Sequence, residues 1–84
     1  MSAHLITIRR VLRSMGLLGS GAHNHTLLKE DLGLDGATLT DVHYELEDAY
    51  DITIRGQEFD KFRTVGDIIT YLTNHSIPAP HEPI

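Results

Sequence analysis

Leu5, Ile8, Val11, Leu12 and Met15 recur at steps of three and four through residues 3–15. That spacing lays one apolar stripe along a helix and leaves Arg9, Arg10 and Arg13 off it. Gly16, Gly19 and Gly21, with Ser20 among them, end the pattern. From 16 to 35 no period is sustained, which predicts a long connection. Leu27, Leu28, Leu32 and Leu34 are expected to plug the core from within it, because so long a loop in a small domain needs anchoring.

The period returns at Leu39, Val42, Leu46, Ala49 and Tyr50, predicting a second helix over about 36–50 that opens at Gly36. Thr38 and Asp41 have capping-box spacing, so a start two residues later is the alternative. Asp51 ends this helix, and residues 52–54 read as a short extended connector. Residues 56–62 suffice for one or two turns, with Phe59 and Phe62 facing inward. Thr64 and Asp67 form a second capping box, opening a last helix over about 64–74 with Val65, Ile68, Ile69 and Leu72 on its core side. The segment from 77 to 84 holds three prolines and no period, and is expected to be a flexible tail to a single domain over 1–76. The sum is an all-α fold: a small four-helix bundle of three main helices and one short one, with a long loop between the first two.

At 84 residues one small core is feasible. No cysteine is present, which removes disulfides, thiolate metal sites and cysteine nucleophiles together. No apolar run reaches the roughly 20 residues that span a bilayer, and the N-terminus lacks a secretory pattern. A cytoplasmic, monomeric protein is expected. The formal charge of −5 is uneven: eight acidic residues and no Lys or Arg lie between Glu30 and Asp51. Such a segment repels nucleic acid and suits a partner with a basic patch. His23 and His25 form an H-x-H pair without a carboxylate or thiolate at ligand spacing, so no metal site is expected. No nucleophile elbow, H-E-x-x-H or phosphate-binding glycine loop is present, so no catalysis is expected.

Four features in order carry a resemblance. They are a first helix, a long loop closing in E-D-L-G-x-D (Glu30 to Asp35), an acidic second helix, and T-V-x-D-x-x-x-Y-L (Thr64 to Leu72) opening the last helix. The run from Leu46 to Ile54 is similar in kind. Over residues 4–74 the chain resembles the acyl carrier proteins. In that family the loop ends in Asp-Ser-Leu, and the serine at the start of helix two is esterified to 4′-phosphopantetheine. The resemblance places Asp35 at the aspartate, Gly36 at the serine and Ala37 at the leucine.

Glycine has no oxygen to phosphorylate, yet as a helix start it costs only a few tenths of a kcal/mol relative to serine. The fold can therefore survive while the prosthetic group is lost, and as written the chain is expected to carry no cofactor. Three explanations remain: an engineered change, natural loss with docking retained, or attachment at Thr38 or Thr40. The resemblance also implies that helix two is a recognition surface. Its docking residues would be Asp41, Tyr44, Glu45, Glu47 and Asp48, meeting a basic patch on an enzyme of acyl or thioester metabolism, in a lipid or polyketide setting. The leading expectation is a docking module without the attachment serine. The alternative is a genuine acyl carrier protein whose serine is replaced at Gly36 by engineering or divergence.

Overall fold

The computed structural model describes residues 3–17 and 21–80. They form four helices: α1 (Ala3–Ser14), α2 (Gly36–Tyr50), α3 (Gly56–Phe59) and α4 (Val65–Asn74). No strand occurs among them; Leu27 and Thr64 make an isolated antiparallel bridge. The core forms where the predicted stripes meet. Ile8 and Leu12 of α1, Val42 and Leu46 of α2, and Ile68 and Leu72 of α4 are each about 1 % exposed. A buried aliphatic side chain of this size contributes about 1.5–3 kcal/mol. Phe59 of α3 is buried too, whereas Leu39, Ala49, Phe62 and Ile69 are only partly so.

Local chemistry sets the helix ends. α1 closes with Leu17 N–H on Leu12 O at 2.9 Å and Gly16 N–H on Arg13 O at 3.0 Å. This paired closure needs a left-handed residue, which Gly16 supplies at φ +78°. α2 closes the same way through Ile52 on Glu47 O, but its left-handed residue is Asp51 at φ +54°. The Thr64–Asp67 capping box is formed, with each side chain receiving a backbone N–H of the other end.

The long loop is anchored by backbone rather than by leucines alone. Leu28 N–H donates to Arg63 O (2.8 Å), Val65 N–H to Thr26 O (3.0 Å) and Gly66 N–H to Asn24 O (2.7 Å). A β-carbon at position 66 would sit 2.7 Å from Asn24 O, so only glycine permits this approach. Arg9 Nε adds a bond to Ala22 O at 2.8 Å.

Of the four leucines expected to plug the core, Leu28 and Leu34 are buried and Leu32 is partly so. Leu27 is 36 % exposed instead. At the extended bridge neighbouring side chains point to opposite sides, so burying Leu28 turns Leu27 out. Ala22 and Thr26 are buried in the loop and were not anticipated. The expected tail begins at Ile77, which packs against the core with its N–H on Leu72 O. Its last four positions, 81–84, and the glycine-serine break at 18–20 lie outside the described residues.

Candidate functional site

Asp35 caps α2, accepting the Thr38 N–H at 2.8 Å, while its own carbonyl accepts from Leu39. The helix therefore starts at Gly36 and not at the alternative two residues later. Hydrogen bonding from the Thr38 backbone, and then from its hydroxyl, holds the Asp35 carboxyl below its ordinary pKa. The Thr40 hydroxyl donates to Gly36 O at 3.0 Å. A β-carbon added at Gly36 would have nothing within 4 Å, and the backbone there is not left-handed. The glycine is thus not demanded by space or by conformation.

Gly36 borders an open cleft of about 1360 Å³ between the loop, α2 and the segment around α3. Its lining combines Leu28, Leu34, Leu39, Phe59 and Phe62 with the exposed cations Lys29, Lys61 and Arg63. Glu30, Asp35, Asp60 and Asp67 line it as well. The acidic middle of the sequence therefore meets basic residues at this end of α2. Lys29 lies more than 30 positions before Lys61 and Arg63 in sequence, and the 27–64 bridge brings the two segments together, so no local pattern could have marked the group.

The residues expected to dock a partner divide into two groups. Asp41, Tyr44, Glu45 and Asp48 are exposed at spacing i, i+3, i+4, i+7, one solvent face of α2, with Tyr44 62 % exposed. Glu47 does not share that face. Its side chain is 22 % exposed, and Oε2 accepts the Ile54 N–H at 2.7 Å. His43, one turn earlier, reaches the other backbone group of Ile54, with Nε2 2.6 Å from the carbonyl oxygen. Its ring stacks on Phe59 at 4.4 Å and 6°. Together His43 and Glu47 clasp the connector between α2 and α3, and an apolar-stripe reading gives no sign of it. His23 and His25 stack at 5.8 Å in the loop. Among the described residues no group of three or more His, Asp or Glu could hold a metal ion, and no helix is long and apolar enough to cross a membrane.

A family model described as the phosphopantetheine attachment site matches residues 8–72. The acyl carrier protein of Chlamydia felis is 36 % identical over 62 residues, spanning 74 % of this chain and 80 % of that protein. The chain belongs to the acyl carrier protein family. The acyl carrier protein of an Exiguobacterium species is 41 % identical over 44 residues, 52 % of this chain and 56 % of its own length. A solved structure of a proposed acyl carrier protein from Mycobacterium tuberculosis is similar with a TM-score of 0.66 and 34 % identity, over 87 % of this chain and 93 % of that one. Acyl carrier proteins are carriers, not enzymes. Phosphopantetheine attachment requires an ester oxygen, and Gly36 at the head of α2 supplies none. Thr40, the next hydroxyl in the cleft lining, is turned back onto the Gly36 carbonyl. Position 36 itself does not fit covalent attachment.

Proposed function

We propose that this acyl carrier protein-family chain is a docking module that has lost its carried group. It presents α2 to a basic surface on an enzyme of acyl or thioester metabolism, working as a cytoplasmic protein in a lipid or polyketide setting. The observation that supports this most is the pairing of an exposed acidic face on α2 with a glycine, which has no hydroxyl, at the first position of the same helix. Asp41, Glu45 and Asp48 would set the approach of a basic partner, and the exposed Tyr44 ring between them would supply the anchor.

The test is the triple variant Asp41→Lys, Glu45→Lys, Asp48→Lys, which leaves the Glu47 clasp untouched. The probe is a phosphopantetheinyl transferase, whose carrier-docking surface the family resemblance implies to be basic. Helix content should be retained and binding lost. Unchanged affinity in the triple variant removes the docking reading.

A second reading is favoured by the open space at Gly36. A serine fits there, so the chain could be a genuine acyl carrier whose serine was replaced. Gly36→Ser, incubated with the transferase and coenzyme A, should then gain the mass of one phosphopantetheine arm. An unchanged mass would mean that the transferase surface has gone too. Intact mass of the protein from its own source separates the readings directly.

A further inference from the structure

Tyr44 is exposed at the middle of α2, yet its ring is packed from one side. It stacks on the His43 ring at 5.7 Å and 14°, and His43 stacks in turn on buried Phe59 at 4.4 Å and 6°. His43 Nε2 lies 2.6 Å from the Ile54 carbonyl oxygen, which holds the middle ring in place. Three near-parallel rings thus run from the core to the surface, and among the described residues no further ring covers the outermost. Helical geometry decides what lies beside it. At about 100° per residue, His43 falls about 100° to one side of Tyr44. Asp48, Asp41 and Glu45 fall about 40°, 60° and 100° to the other side. All three are exposed, and among the described residues none of their carboxylates has a hydrogen-bond or ion-pair partner.

We infer that the outer face of Tyr44 and these carboxylates form a seat for an arginine side chain of the protein that docks on α2. The seat deepens the docking reading above and rests on it for the existence of that partner. Carboxylates alone attract lysine and arginine alike. The ring changes the choice. An aromatic face attracts a cation, and a guanidinium is planar, forked and weakly hydrated. It lies flat on the ring while its N–H groups point outward to carboxylates. An ammonium is a compact, strongly hydrated point charge and gains less from the same surface. Asp41 lies about one turn before Tyr44 and Asp48 about one turn after it. An arginine arriving along the helix from either end therefore meets a carboxylate. Because His43 and Phe59 already back the ring, less side-chain freedom is lost when the cation settles on it.

The experiment is an NMR titration of the full chain with a pair of amidated, alanine-rich helical peptides. They are identical except that one carries arginine and the other lysine at positions i and i+4. Salt is kept low, at about 0.01 M, so that surface charges are not screened. The arginine peptide should bind about two- to five-fold more tightly, the factor expected of one stacked cation at an exposed site. Its δ-methylene protons should show nuclear Overhauser contacts to the Tyr44 ring. Tyr44→Phe keeps the aromatic face and should keep the preference. Tyr44→Leu, an exposed change to a good helix former, should bring the two peptides to equal affinity while binding by charge persists. Asp41→Asn combined with Asp48→Asn should weaken both peptides. Equal affinities for the wild type overturn the inference. So does an arginine preference that survives Tyr44→Leu, or peptide binding that the paired asparagine variant leaves unchanged. If Tyr44→Leu loses helix content, the wild-type Overhauser contacts decide, and their absence refutes the seat. The transferase separates the two readings. Transferase binding lost in the triple lysine variant, with equal peptide affinities, removes the seat and leaves docking standing. Transferase binding retained in that variant, with the arginine preference intact in the wild type, removes the docking reading and leaves the seat.

Discussion

Gly66→Ala should destabilise the protein although alanine is the better helix former. Position 66 lies in the first turn of α4, where propensity alone would favour the change by at most about 1 kcal/mol. Against that stands the Asn24 carbonyl oxygen, 2.7 Å from where the new β-carbon must go. The same oxygen accepts the Gly66 N–H at 2.7 Å, so relieving the overlap also stretches the bond that ties the loop to α4. Overpacking costs about 1–3 kcal/mol, and the weakened bond about 1 more. The net loss is about 1–3 kcal/mol, which for a domain of this size lowers Tm by roughly 5–20 °C. Thermal unfolding followed by circular dichroism measures it, with Gly56→Ala as the control. That glycine also opens a helix, but a β-carbon there meets nothing within 4 Å. If Gly66→Ala melts at or above wild type, the 24–66 approach is not the constraint it is taken to be.

Glu47→Ala should cost about 1–3 kcal/mol in a urea titration, because it strips the partner from the Ile54 N–H of a buried residue. Asp48→Ala, next to it but fully on the solvent face, should stay within about 0.5 kcal/mol of wild type. Asp51→Gly should stabilise by about 0.5–1 kcal/mol in the same assay, since it relieves a left-handed aspartate and removes a negative charge from a helix C-terminus. Acid should weaken the fold through Asp35 and Asp67, whose folded-state pKa values both lie below the ordinary 3.8. For Asp67 the main cause is hydrogen bonding from the Arg63 backbone. Depressed values mean that their contribution is full above the unfolded pKa and is lost as pH falls through the folded ones. Unfolding midpoints should therefore drop between about pH 5 and about pH 2, and Asp67→Asn should flatten that slope.

The helices were legible because each buries one stripe, and a stripe leaves its period in the sequence. Val42 and Leu46, or Ile68 and Leu72, could be assigned to the core by counting threes and fours. The loop leaves no such record. Leu27 and Leu28 are alike as residues, and only the bridge to Thr64 decides that one faces in and the other out. The site divides along the same line. Asp35 was readable as the residue ending the loop, and the exposed run Asp41, Tyr44, Glu45, Asp48 follows from helical spacing. Glu47 joins them only through the family resemblance, which matches positions and not burial. Its contact is a backbone N–H seven residues on, in a connector whose path the side-chain pattern does not encode. His43 escaped for the same reason, and the gathering of Lys29, Lys61 and Arg63 near Gly36 depends on a closure between distant segments.

That closure also sets an order of events. The chain is made from its N-terminus, so the loop and all of α2 exist before residues 63–66 do. Until Arg63, Val65 and Gly66 arrive, Leu28, Thr26 and Asn24 have no backbone partners in that segment, and the cleft beside Gly36 lacks one wall. A nascent or truncated chain ending before residue 63 would carry the sequence of the site without its shape. Any enzyme that reads this end of α2 can do so only on a finished molecule.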